Sequence, residues 1–276
     1  MVKKLIFASF VIVLLFTGLA FRPASALDGF SEDEVFGHSK GNHRLDCYIV
    51  RPWETDAPEN TQFPVIVWAN GWGGGQKDKD ATINGYKPML ISWAEDGPYI
   101  VIAAKAWSAR EDDVLRCLQW IVDQNFTAGS EYVGLIDTTK IGLAGHSQGA
   151  GAVVKAGDGE PNGFDITTVL AMNPYGPSWV SAGDQDGPVM VLTGFYDTTT
   201  PYSWTYPVFE AQVETGNDGI YAVHADAGHN DLHLYQEVIY HWWQFQLNGD
   251  ESAFTTLKGI LDNEPWDTQY TGSLLE

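Results

Sequence analysis

Gly145-His146-Ser147-Gln148-Gly149 sets a serine between two glycines, each two residues away. That spacing permits a sharp, strained turn which lifts the hydroxyl clear of the backbone. A serine hydroxyl becomes a nucleophile when an imidazole takes its proton, and the imidazole keeps the right tautomer when a carboxylate holds its other nitrogen. Asp197 and His229 follow Ser147 in that order along the chain. Asp197 closes Val191-Leu-Thr-Gly-Phe-Tyr-Asp197, just past an apolar run and so at the carboxyl end of an expected strand, where parallel sheets place their sites. His229 stands in Ala225-Asp-Ala-Gly-His229-Asn, a loop between the last apolar run and a closing helical pattern. The chemistry these three residues could perform is acyl transfer, with Ser147 as nucleophile, His229 as base and Asp197 as its acidic partner.

Competing assignments are weaker on context. Gly37-His38-Ser39-Lys40-Gly41 repeats the glycine-serine pattern, but Ser39 follows the acidic stretch Ser31-Glu-Asp-Glu34 and runs into a strand, the wrong order for such a turn. Ser147 instead follows the apolar Lys140–Ala144 and precedes the small-residue helix Gly149–Ala156. His224 ends a strand, while His233 and His241 fall within a helical pattern, so these three read as structural or surface histidines. An Asp before Thr198 and Pro201 could be a simple turn-former, but its place after a late strand favours the triad. The intermediate of acyl transfer needs backbone donors for its oxyanion. The turn Asn70-Gly71-Trp72, leading into Gly73-Gly-Gly75, lies where such donors are needed, and they are expected from the N–H groups of Trp72 and Gln148. No Gly-Lys-Ser/Thr completes a phosphate-binding loop there.

These residues must be held by a scaffold that alternates strand and helix. Arg44–Val50, Pro64–Ala69, Tyr99–Ala103, Lys140–Ala144, Thr167–Met172, Val189–Thr193 and Gly219–Val223 read as strands, mostly short continuous apolar runs suited to burial on both faces. Val114, Leu118, Ile121 and Val122 repeat at helical spacing in Arg110–Gln124, as do Leu234, Val238, Trp242 and Phe245 in Asp231–Leu247. The expected class is α/β, with a mostly parallel central sheet covered by helices on both sides. The segment Asp28–Asn42 reads as a polar, acidic lead-in.

Lys3 and Lys4, the apolar run Leu5–Phe21 and the triplet Ala24-Ser25-Ala26 form a secretory signal pattern, with cleavage expected after Ala26 and export of the remainder. Residues 1–26 hold Lys3, Lys4 and Arg22 and no acid, so 12 of the 15 basic side chains remain against all 36 acidic ones, a formal charge of −24. Nucleic acid and anionic membranes are poor partners for such a surface. Residues 27–276 can bury one large core and are expected to form a single domain, a monomer with no stable membrane insertion once the leader is gone. Cys47 and Cys117 are too few for a disulfide scaffold and match no zinc spacing. Export would allow them to pair, and their apolar contexts equally allow two buried thiols. No metal site or organic cofactor is implied.

In its motifs the chain resembles the secreted polyester hydrolases, the PET-hydrolase and bacterial cutinase group of the α/β-hydrolase superfamily, and more loosely the dienelactone hydrolases and chlorophyllase-type lipases. The likeness is carried by Gln124-Asn, Gly129-Ser-Glu-Tyr, Leu135-Ile-Asp137, Lys140-Ile-Gly142 and the Ser147 motif, with Asn70-Gly71-Trp72 similar to the family's oxyanion turn and Gly194–Pro201 to its acid loop. Gln148 stands where the family has Met, Tyr175 where Trp is common, and no cysteine after 117 supplies the family's C-terminal disulfide. The resemblance implies an α/β-hydrolase fold and a cofactor-free serine esterase. Trp72, Tyr175 and Trp179 would flank the acyl group. Only Asn173–Gly187 is long enough to approach the site as a loop, so no large lid is expected, and the open cleft would accept polymeric esters. Within the same chemistry, esters of small soluble alcohols or acetylated and feruloylated sugars are the alternative. Outside it stands a non-catalytic binding protein that keeps the fold.

Overall fold

Every residue of the run Phe63–Ala69 is buried, as are those of Ile100–Ala104, Thr168–Met172 and Val189–Gly194, the mark of strands covered on both faces. In the computed structural model, which describes residues 30–36, 46–52, 61–73, 79–157, 163–176 and 185–275, these runs are the centre of one nine-stranded mixed sheet. The expected leader 1–26, the Ser39 motif and Trp179 lie outside the described residues. The strands are β1 (Phe30–Phe36), β2 (Asp46–Pro52), β3 (Phe63–Ala69), β4 (Ile100–Ala104), β5 (Ile136–His146), β6 (Thr168–Met172), β7 (Val189–Gly194), β8 (Gly219–His224) and β9 (Trp266–Thr271). Their order is β1-β2-β4-β3-β5-β6-β7-β8-β9. The six from β4 to β8 run parallel, while β1, β2 and β9 pair antiparallel at the two margins.

Period-two alternation divides each central strand between two cores. Val65 and Val67 face the side covered by α3 (Glu111–Phe126), α4 (Gln148–Ala156) and α5 (Tyr202–Thr215), where Leu118, Val153 and Phe209 meet them. Ile66 and Trp68 face α2 (Lys87–Asp96), α6 (Gln236–Asn248) and α7 (Glu251–Leu261), with Leu90, Trp242 and Leu257. A short helix, α1 (Lys79–Asn84), precedes α2. The expected α/β class is therefore present, with a mostly parallel sheet and helices on both faces.

The order of strands positions the site. From β3 the chain travels to β4 on one side, and from β5 it travels to β6 on the other, so the two connections diverge and leave a crevice at the carboxyl ends of β3 and β5. Such a reversal is where open α/β sheets take their ligands.

Two margins differ from the sequence reading. The acidic lead-in contains β1, because its carboxylates find donors across the sheet: Tyr48 donates to Glu32 at 2.8 Å, Tyr132 to Asp33 at 3.0 Å, and Arg51 pairs with Asp33 at 3.5 Å. β9, Trp-Asp-Thr-Gln-Tyr-Thr, was not among the expected strands; it is half exposed and carries too few apolar residues to stand out by pattern. The helical stretch from Asp231 begins as a 3-10 turn, Leu232–Tyr235, before α6.

Cys47 on β2 and Cys117 on α3 form a disulfide, Cα atoms 6.5 Å apart and both side chains fully buried, which settles the two open alternatives. The 70-residue separation is long, and loop-closure entropy assigns such a link about 4 kcal/mol. We expect Cys47→Ala/Cys117→Ala to lose roughly that much stability in urea denaturation. A midpoint unchanged between the wild type and the double variant would contradict it.

Candidate active site

Small residues make the turn at Ser147 possible. α4 crosses β3 so tightly that a Cβ on Gly149 would stand 2.2 Å from the Ala69 carbonyl oxygen, and one on Gly145 would stand 2.5 Å from the oxygen of Gly149. Only glycine fits either place. Between them Ser147 adopts φ 55°, ψ −120°, outside the regions open to an ordinary side chain. Its N–H donates to the Met172 carbonyl at 2.9 Å, and its own carbonyl accepts from Tyr175 N–H at 3.0 Å. Those bonds hold a conformation that is worth about 1–3 kcal/mol of strain.

The three residues singled out by type and order come together. His229 Nε2 lies 3.0 Å from Ser147 Oγ, and His229 Nδ1 lies 2.8 Å from Asp197 Oδ2. Because an ionised carboxylate can only accept, Nδ1 carries the hydrogen and Nε2 turns its lone pair to the serine. Asp197 has no exposed side-chain surface. Its Oδ1 accepts from the N–H groups of Thr199 and Thr200, both at 2.8 Å, and its Oδ2 accepts from the Thr200 hydroxyl at 2.6 Å. Burial pushes its pKa upward, but the bonds from His229 and Thr200 outweigh this and hold it below the ordinary carboxylate value.

A second network, not anticipated from sequence, fixes the loop that carries the base. The His229 carbonyl accepts from His146 Nε2 and from Asn173 Nδ2, each at 2.8 Å. Since that carbonyl can only accept, His146 is the Nε2–H tautomer, and its Nδ1 accepts the Tyr86 hydroxyl at 2.8 Å. The Tyr86 oxygen in turn takes a hydrogen bond from the Gly71 backbone, and burial pushes Tyr86 up to about 12. Tyr86 thus ties the turn after β3 to the loop after β8. Asn173, itself at φ 47°, also accepts from Gly194 N–H and so joins the end of β6 to that of β7. His146 carried a weak signal, being the variable residue directly before Ser147. Tyr86 and Asn173 carried none, because their partners are distant in sequence.

Gln148 is the first residue of α4, whose leading N–H groups have no partner within the helix and point, with its positive dipole end, toward the site. Around Trp72, Gly71 N–H goes to Tyr86 and Gly73 N–H goes to Trp107 O at 3.0 Å, which leaves Trp72 N–H as the donor of that turn without an acceptor among the described residues. The Trp72 ring is 59 % exposed and Tyr175 38 % exposed, and both line the cleft over Ser147. That cleft measures about 1060 Å³. His224 bonds to the backbone of Asp226, and neither it nor His241 lines the cleft. His233 lines the adjoining hollow without contacting Ser147. Among the described residues no group of three His, Cys, Asp or Glu side chains converges as metal ligands, and no helix is long and apolar enough to cross a membrane.

These features define an α/β protein with a Ser-His-Asp array at the carboxyl edge of a parallel sheet. No protein-family model matches the chain, and a search of curated proteins finds no match.

Burial, then the neighbouring His229, lowers His146 from 6.5 to about 3. An unfolded histidine binds a proton near 6.5 while the folded one resists it to about 3, so stability is complete above 6.5 and is lost as pH falls through that window. We expect wild type to lose up to about 1.4 kcal/mol per pH unit more than His146→Gln between pH 6.5 and 4, followed by urea unfolding. Parallel curves for the two proteins would show that His146 is not buried neutral.

Proposed function

We propose that the protein is a serine ester hydrolase with an α/β-hydrolase fold, exported after loss of residues 1–26 and working through Ser147, His229 and Asp197. The observation that carries this reading is the continuous alignment of Ser147 Oγ, His229 Nε2 and Nδ1, and Asp197 Oδ2 through contacts of 3.0 and 2.8 Å. The strained φ at Ser147 supports it, since such backbone persists where surrounding structure holds it for a purpose.

In the first half-reaction Ser147 Oγ attacks the ester carbonyl carbon and its proton passes to His229 Nε2. The negative oxygen that forms is met by the N–H groups of Trp72 and Gln148, and buried Asp197 stabilises the imidazolium. The bond to the alcohol oxygen then breaks, and His229 returns the proton to that leaving oxygen. Water next attacks the acyl carbon, gives a proton to His229, and the Oγ–carbon bond breaks to release the acid and restore the serine hydroxyl. His146, neutral and hydrogen-bonded on both nitrogens, takes no proton in this cycle; it positions His229.

A cleft of about 1060 Å³ is ample for bulky esters, and polyester chains are one class that the resemblance suggests. The test of the chemistry is labelling by a fluorophosphonate together with turnover of p-nitrophenyl acetate. Ser147→Ala and His229→Ala should each lower kcat by about 10⁶-fold and Asp197→Asn by about 10⁴-fold, because the triad acts as a unit and loss of the carboxylate is the milder change. Ser39→Ala should retain full activity. An unlabelled wild type, or an active His229→Ala variant, would reject the reading.

A further inference from the structure

The walls of the cleft say more about the substrate than the triad does. Large hydrophobic side chains that remain well exposed number ten among the described residues, and seven of them are aromatic rings borne on loops at the carboxyl ends of β3, β4, β6 and β7 or at the start of α5. Three of them, Trp72, Trp107 and Tyr175, line the cleft; Trp72 and Trp107 meet edge to face at 5.8 Å, and Tyr175 meets Trp204 behind it at 5.6 Å. Exposed rings gathered on one face mark a place of contact. The loop bearing Trp107 is fastened to the turn bearing Trp72 through Gly73 N–H to Trp107 O, Ala109 N–H to Asn70 O, and Asn70 Nδ2 to Ala106 O. Its rings are presented on a rigid mount.

The groove is also longer than a small ester needs. Beyond Tyr86, His146 and Asn230 the main cleft runs on into a hollow of about 460 Å³, and beyond Arg110, Asp112 and Gln148 into another of about 260 Å³, with Ser147 in the middle section. A track with the nucleophile at its middle suits a chain that carries its ester part-way along.

Polarity separates the candidate chains. The wall from Trp107 continues through exposed Arg110, which donates, and exposed Asp112, which accepts. A polyester offers carbonyl acceptors and no donors, so it could answer Arg110 but would bring no donor to the carboxylate of Asp112. Sugar hydroxyls donate and accept, and the C–H faces of sugar rings, like the positive edges of aromatic rings, suit the negative faces of Trp and Tyr. A formal charge of −21 opposes polyanionic chains.

We propose that the ester delivered to Ser147 is borne on hydroxyl groups of a neutral polysaccharide lying along this groove. The proposal rests on the ester-hydrolase reading and narrows it: hydrolysis adds water across the acyl–oxygen bond, freeing the sugar hydroxyl and a carboxylic acid. The probes are p-nitrophenyl acetate, acetylated xylo-oligosaccharides, feruloylated arabinoxylo-oligosaccharides and an aliphatic polyester film. Wild type should hydrolyse at least one of the two saccharide esters with a kcat/KM above that for p-nitrophenyl acetate and leave the film intact. In Trp107→Ala and in Asp112→Asn, a milder change that keeps the side-chain shape, the ratio of saccharide-ester to p-nitrophenyl acetate kcat/KM should fall at least tenfold. The proposal is overturned if p-nitrophenyl acetate is cleaved and neither saccharide ester is, if the film is the better substrate, or if the ratio is unmoved in both variants. Failure of wild type to cleave any ester or take the fluorophosphonate label would overturn the ester-hydrolase reading itself, an outcome separable from the others.

Discussion

The closeness of α4 to β3 governs the geometry of the site. With no Cβ at Gly145 or Gly149, the helix can start directly above the end of β3, and that approach forces the chain at Ser147 into its left-handed turn. The same approach sets the first N–H groups of α4 beside the turn after β3, so nucleophile and backbone donors share a single cause. A methyl group at Gly149 would stand 2.2 Å from the Ala69 carbonyl oxygen and push helix and strand apart, and one at Gly145 would press on the Gly149 backbone. Strain at one residue is offset by contacts made over the whole of α4, whose helical residues are nearly all buried.

The base is held by a different means. His229 sits on a loop, and loops are normally where positional precision is lost. Here its carbonyl takes two donors while its ring takes Asp197, so backbone and side chain are fixed separately. Tyr86 extends this to the turn after β3, and its ring packs on Trp68 at 5.0 Å, which in turn meets Trp93, and Trp93 meets Trp243 in the core beneath. The site is therefore anchored in the apolar layer under the sheet rather than stabilised at the surface alone.

How far this was legible in the sequence depended on the range of each interaction. The central strands announce themselves because burial on both faces demands continuous apolar runs, and Ser147 because a tight turn demands flanking glycines. Asp197 and His229 could be placed by their order and by the strands before them. β1 does not show in the sequence as a strand because its stability comes from partners on other elements, Tyr48, Tyr132 and Arg51, rather than from its own pattern. Tyr86, Asn173 and Thr200 escaped for a related reason: a hydroxyl or amide in a network has no periodicity, and only the folded chain brings its partners near. The cysteines were undecidable from context, since a buried thiol and a buried half-cystine occupy the same apolar surroundings.

Both margins of the sheet end in strands that carry charge and hydrogen-bonding side chains. β1 presents Glu32 and Asp33, already engaged with Tyr48, Lys87 and Arg51, while β9 presents exposed Asp267 and Gln269. A further strand laid against either margin would have to strip water from carboxylates and break existing pairs. Growth of the sheet from molecule to molecule is thereby blocked at both ends, a safeguard against fibre-like stacking in a protein whose interior is so rich in parallel, β-branched sequence.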